Sequence, residues 1–180
     1  ATEMALLEIR DLHLHIRSFD GDAHILNGVD LAIARGEVWG LVGETGCGKS
    51  LTGMSIARLV AAPPARYPRG AIVFDGIDLV KASEAERREL WGSRIAYVAQ
   101  SAAAAFNPAH RLLDQTIETA VRHGIMDQGK AEADARDLYK RLQLPNPDKI
   151  GDRYPHQVSG GQLQRAMTAM AMSCRPDLII

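Results

Sequence analysis

Gly43-Glu44-Thr45-Gly46-Cys47-Gly48-Lys49-Ser50 is the stretch that decides the reading of this chain. It satisfies G-x-x-x-x-G-K-[ST] at every fixed position. Glycine lets backbone N–H groups turn toward phosphate oxygens with no Cβ in the way. A helix that follows points its positive end at the same oxygens. Lys49 supplies a mobile cation for β- and γ-phosphates, and Ser50 supplies a hydroxyl for Mg2+. The flanks agree with this. Residues 37–42 (EVWGLV) form a short apolar run that reads as a buried strand. Residues 49–60 read as a helix, with Pro63 and Pro64 as its stop. The competing reading is a chance glycine-rich turn ahead of a helix, and the strand-to-helix context argues against it.

The residues alone therefore point to a P-loop nucleotide-binding protein of α/β class. Composition allows it. The chain has 180 residues, 46% hydrophobic and 24% charged, the balance of a packed globular protein. Twenty-two acidic against 21 basic residues give a net charge of -1. That excludes nucleic-acid binding driven by bulk charge. Two cysteines, Cys47 and Cys174, are too few for a disulfide framework and suit a reducing compartment. No apolar run approaches the ~18 residues of a membrane span. Met4 reads as a natural start, with residues 1–3 an artificial remnant left out of the fold reading.

Outward from the loop, the pattern is α/β. Leu12, Leu14 and Ile16 alternate with His13 and His15, which predicts a strand over 6–16. A second strand is expected over 24–33. Asp75-Gly76 reads as a hairpin turn between strands at 71–74 and 77–80. Residues 83–91 read as a charged helix and 94–99 as another short strand. From about 101 to 157 no strand pattern remains. Leu113, Ile117, Ala120 and Val121 predict one face of a helix. Residues 130–144 predict a second, and Ser159-Gly160-Gly161 starts a third that runs to about 173. Residues 178–180 open a further buried strand.

Val158-Ser159-Gly160-Gly161-Gln162 places a glycine pair at a helix start, a second natural anion site. Alone it reads as an ordinary capped helix. With the P-loop upstream and an all-helical insert between, the chain resembles the ATP-binding cassette (ABC) ATPases over its whole length. The resemblance implies a P-loop core with an antiparallel β subdomain over 4–100. It implies a helical subdomain over 101–173, and the start of the Walker B strand at 174–180 in a sheet left incomplete there. It further implies that Gly43, Glu44, Thr45, Gly46, Cys47, Gly48, Lys49, Ser50 and Leu51 hold ATP. Gln100 is the Q-loop glutamine, approaching Mg2+ (with Ser50) and the attacking water. Ser159, Gly160, Gly161 and Gln162 close on the ATP of a second ATP-binding subunit. Phe19 is the candidate for stacking on adenine, against an equal reading as a core phenylalanine; His24 is a poorer candidate.

Phe106-Asn107-Pro108, the Gln115/Glu118 pair and Arg153-Tyr154-Pro155-His156-Gln157 narrow the resemblance. They resemble importers of oligopeptides, dipeptides, nickel or similar small solutes. The resemblance implies membrane-spanning permease subunits, an indirect solute-binding protein, no nucleic acid, and a peripheral place on the cytoplasmic membrane face. Alternatives are a soluble ABC ATPase acting on nucleic acid or ribosomes, or an accessory phosphonate-metabolism protein. A P-loop kinase or GTPase would leave Gln100 and the SGGQ helix unexplained. The Asp-Glu pair that orders Mg2+ and polarises water in this family is not among the 180 residues. The expectation is thus a fragment that binds ATP weakly or not at all and turns over negligibly. His13 and His15 read as a solvated strand face, Cys47 as loop filler, Met167, Met170 and Met172 as core, and 83–90 as a solvated helix.

Overall fold

The computed structural model describes residues 4–60 and 62–180; residues 1–3, expected to be an extraneous remnant, lie outside the described residues. The chain forms two compact units, one up to Arg88 and one from Glu89.

In the first unit, β1 (Leu7–Ser18) pairs antiparallel with β2 (Gly21–Ile33) on one edge and with β3 (Ala65–Phe74) on the other. The short β4 (Ile77–Asp78) completes the order β2-β1-β3-β4. The alternation in β1 changes parity midway. Leu7 and Ile9 are buried, and so are Leu12 and Leu14. A regular strand would put these two pairs on opposite faces. A bulge at Asp11, with φ 43°, inserts the extra residue that keeps all four on the core side. The Asp11 N–H donates to Asp30 Oδ1 at 2.9 Å, replacing the ladder bond lost there. Gly70 of β3 passes directly against this bulge. A Cβ on Gly70 would lie 2.6 Å from Leu12 Cα, and its φ is +100°, so glycine alone fits. Ile72 and Phe74 of β3 fill the same core at 0% exposure. Burial of each such side chain stabilises by about 1.5–3 kcal/mol.

Two expectations for this unit fail. Residues 37–42 form no strand, and Val38 and Val42 are 97% and 89% exposed. A strand needs a ladder partner, and among the described residues none pairs with this segment. Its fixed points come from Glu37, whose Oε2 accepts from the Ala34 N–H at 2.8 Å and from Trp39 Nε1 at 3.0 Å. Those two donors hold the Glu37 carboxyl below the usual range. Helix α1 (Lys49–Ile56) is also shorter than expected. The prolines do not stop it. Arg58 turns left-handed at φ 53°, and Leu59 N–H donates back to Met54 O at 2.8 Å, a Schellman closure. The expected Asp75-Gly76 turn is present, with φ of 45° and 83°. Helix α2 (Glu84–Leu90) follows, with Arg88 paired to Glu84.

The second unit is helical around a small parallel sheet. β5 (Ile95–Ala96) pairs with β6 (Leu178–Ile179), and Val98 N–H extends the ladder to Ile180 O at 2.7 Å. α3 (Ala102–Ala105), α4 (Leu112–Arg122), α5 (Gln128–Arg141) and α6 (Gly160–Met172) enclose one core with two 3-10 turns, Ile150–Asp152 and Pro155–Gln157. On α4, Leu113, Ile117 and Ala120 face inward as expected, joined by Leu112 and Thr116, while Val121 lies at the rim, 37% exposed. Tyr139 is fully buried, and its hydroxyl lies 2.6 Å from Thr116 Oγ1. Burial pushes its phenol up to about 12. Thr116 Oγ1 also donates to Leu112 O at 2.7 Å, so both buried hydroxyls are satisfied. Among the described residues, no helix is long and apolar enough to cross a membrane.

Candidate functional site

The phosphate-binding candidates of the first unit sit where β2 meets the start of α1. Gly46 and Gly48 have φ of 86° and 93°, the left-handed turns that let this loop curl. A Cβ on Gly48 would lie 2.9 Å from Leu26 Cδ2, so the loop ends pressed onto the buried face of β2. The first i→i−4 bond of α1 is Thr52 N–H to Gly48 O at 2.9 Å. The N–H groups of Lys49, Ser50 and Leu51 therefore precede the helical ladder and are free to meet an anion. Lys49 folds back over the loop. Its Nζ donates to Gly43 O and to Glu44 O, each at 2.7 Å, and lies 3.6 Å from Cys47 Sγ. A bound phosphate would replace these carbonyl bonds with charge-assisted ones. Cys47 is exposed on the loop.

Phe19 occupies the two-residue turn between β1 and β2 and is fully exposed, so it is no core residue. With Arg17, Asp22, Pro64 and Arg66 it lines an open, mainly apolar hollow of about 650 Å3. His24 has one ring face taken up. Its ring stacks on His15 at 3.8 Å between centroids and 2° between planes. His13 Nε2 meets Asp11 Oδ1 at 3.1 Å. Among the described residues no group of three His, Cys, Asp or Glu side chains could hold a metal.

The second unit carries Gln100 and the SGGQ segment. Gln100 lies exposed beyond the end of the β5–β6 ladder. Ser159 caps α6 in a reciprocal box. Its Oγ accepts from Gln162 N–H at 3.2 Å, and Gln162 Oε1 accepts from Ser159 N–H at 3.0 Å. Leu163 N–H donates to Ser159 O at 2.9 Å. The donors left over at this helix start are the N–H groups of Gly160 and Gly161, with no Cβ beside them. Both residues are exposed, and a Cβ on either would meet nothing within 4 Å. The box thus fixes the backbone and leaves two aligned donors open.

Two further side chains position this unit: Arg165, which the sequence did not single out, and Gln115, which it named only as part of a family pattern. Arg165 of α6 donates from Nη1 to Gln143 O at 2.6 Å and to Leu142 O at 3.4 Å, closing the C-terminus of α5. Gln115 accepts from Asn107 N–H at 2.8 Å and donates to Asn107 O and His110 O at 2.9 and 3.0 Å. It pins the loop after Phe106. A helix-borne amide placed after an Asn-Pro turn was the available signal.

Comparison with known proteins supplies the family and the fold. Residues 26–180 match the ABC transporter family. A probable D,D-dipeptide transport ATP-binding protein of Escherichia coli K12 is 42% identical over 97% of this chain and 53% of its own length. The oligopeptide transport ATP-binding protein of Bacillus subtilis 168 is 34% identical over 97% of this chain and 49% of its own. The chain thus spans about half the length of the curated relatives it matches. A dimeric bacterial ABC transporter cassette superposes with TM-score 0.83 at 22% identity, covering 96% of this chain and 72% of that one, a likeness of fold. With a P-loop, a capped SGGQ helix and a family match running from Leu26 to the last residue, the chain belongs to the ABC transporter family.

Proposed function

We propose that this chain is the nucleotide-binding part of the motor subunit of an ABC importer for oligopeptides, dipeptides or similar small solutes. The observation that carries the solute class is the identity, over 97% of the chain, with peptide-transport ATP-binding proteins. In this reading residues 43–51 take the triphosphate, and Phe19 offers its exposed ring to the adenine. Ser159, Gly160 and Gly161, with Gln162 as the capping partner, meet the γ-phosphate held by a second ATP-binding subunit. Two open glycine N–H groups at the positive end of a helix suit that charge.

Mg2+ fits the same site. Ser50 is exposed in the first turn of α1, and its hydroxyl has no protein partner among the described residues. A hard cation takes such oxygen donors together with phosphate and water. Ser50 would hold it in the first unit, and bound there it would neutralise charge on the β- and γ-phosphates. The helical subdomain over 101–173 and the Gln100 segment face membrane-spanning permease subunits at the cytoplasmic membrane surface, with a solute-binding protein acting through them.

Isolation of the protein, tagged at its own locus, from detergent-solubilised membranes tests this reading. Co-isolation of a hydrophobic multi-span subunit, with ATP hydrolysis stimulated by short peptides, is the expected result. Co-isolation with ribosomes or nucleic acid and no membrane subunit would overturn it in favour of a soluble ABC ATPase.

A further inference from the structure

A second polar cavity lies in the helical unit, behind the start of α6. It encloses about 150 Å3 and is lined by Pro145, Asn146, Lys149, Ile150, Arg153 and Gln162. Its shape follows from the local chain. α5 ends with Gln143 left-handed at φ 57°, and Asn146 is left-handed again at φ 47°. Asn146 O then accepts from both Lys149 N–H (2.8 Å) and Ile150 N–H (2.9 Å), which starts the 3-10 turn. Ile150 is buried in the core and anchors the turn from below. Lys149 and Arg153, four residues apart across this turn, come to line one cavity.

The charge there is uncompensated. Several other cations of this unit have carboxylate partners: Arg122 with Glu118, Arg136 with Glu132, Arg141 with Asp137, and Arg175 with Asp134. Among the described residues, Lys149 and Arg153 lie within ion-pair reach of no carboxylate. Arg153 makes one bond, from Nη1 to Gln157 O at 3.3 Å, and its other N–H groups have no partner among the described residues. Asp148 and Asp152 flank the cations in sequence but do not line the cavity. Gln162 uses Oε1 on Ser159 N–H, which leaves its Nε2 donor for the cavity. Two cations and two amide side chains around a small hollow suit an oxyanion. The volume is below the ~300–1,000 Å3 of pockets for drug-sized ligands, so it accepts one phosphate group and not a base or sugar.

We infer that the Lys149–Arg153–Gln162 cavity binds a phosphate group, and that its occupancy is felt at the SGGQ helix start through Gln162. A phosphate in the cavity bonds to the same side chain that fixes the Ser159 backbone. The site belongs to the second unit and the P-loop to the first, and the inference does not depend on the transport reading. The phosphate source is either free inorganic phosphate or the terminal phosphate of a nucleotide.

Inorganic phosphate is titrated into the 15N-labelled 180-residue chain at constant ionic strength, with the side-chain amides of Gln162 and Asn146 and the backbone amides of 146–153 as probes. The expected result is saturable shifts at these positions. Lys149→Gln and Arg153→Gln should each weaken binding by about tenfold, the loss of one charge-assisted bond. Lys149→Arg and Arg153→Lys should retain most of it, and Lys49→Ala should leave these shifts unchanged. Saturation by phosphate alone assigns the free ion; saturation only by ATP assigns the nucleotide. Shifts that saturate with neither phosphate nor ATP, shifts indifferent to Lys149→Gln and Arg153→Gln, or an identical midpoint with acetate would overturn the inference.

Discussion

Replacing Ser159 by alanine removes one of the two bonds in the box that caps α6. The 3.2 Å bond from Gln162 N–H to Ser159 Oγ is lost, while the 3.0 Å bond from Ser159 N–H to Gln162 Oε1 survives. The orphaned amide lies on an exposed helix start and turns to water, so no burial penalty is added. The cost is that of a lost N-cap, about 1 kcal/mol, and glycine at the same position costs only a few tenths. Helix α6 carries Leu163, Ala166, Met167 and Ala169 into the core of the second unit, so the loss is felt by the whole unit rather than by a frayed end. For a unit of this size, about 1 kcal/mol lowers the melting temperature by about 4–8 °C. Urea and thermal denaturation of Ser159→Ala and Ser159→Gly, followed by circular dichroism, measure this. The reasoning is refuted if Ser159→Ala matches the parent chain, or if Ser159→Gly is as destabilised as Ser159→Ala.

Gly70→Ala puts a methyl group into the backbone of β1 at a left-handed φ, and should destabilise the first unit by more than about 2 kcal/mol, whereas Gly76→Ala, with open space around it, costs about 1; chemical denaturation separates the two. Tyr139 holds its proton in the folded state up to about 12, against about 10 for an exposed phenol, so its contribution is complete below pH ~10 and is lost as pH rises through 12. The loss amounts to about 2–3 kcal/mol, and Tyr139→Phe should flatten this alkaline decline in denaturation midpoints at a cost of about 1 kcal/mol. Phe19→Ala should leave stability within about 0.5 kcal/mol, because the ring is fully exposed, while reducing discrimination between ATP and pyrimidine nucleotides in competition binding.

Much of the fold was legible where local chemistry acts alone. Asp75-Gly76 announced its hairpin, and Ser159 with Gln162 three residues on announced a capped helix. The P-loop needed only its glycines and Lys49. Other features depend on partners that a linear pattern does not name. The run 37–42 is apolar enough for a buried strand, yet with no ladder partner among the described residues it forms none and stays exposed. In β1, alternation alone placed Leu12 and Leu14 on one face but could not register the bulge at Asp11 that brings Leu7 and Ile9 to the same side. That bulge depends on Asp30 from β2 and on the space Gly70 leaves in β3. Helix α1 ends before Pro63 and Pro64 because a Schellman closure at Arg58 acts first. At the site, residue types were readable, but the bond pattern was not. The Lys49 Nζ bonds to Gly43 O and Glu44 O, the Gln115 brace and the cavity behind Gln162 all come from tertiary placement.

The central claim is that residues 43–51 hold a triphosphate through Lys49 and the N–H groups that open α1. MgATP titration of the 15N-labelled 180-residue chain, with the amides of Gly46, Gly48, Lys49, Ser50 and Leu51 as probes, tests it most directly. The account predicts weak but saturable shifts at these residues. Lys49→Ala should lower the affinity by about 10–100-fold, the worth of one charged hydrogen bond. Shifts confined to other parts of the chain, or equal affinity in Lys49→Ala, would contradict it.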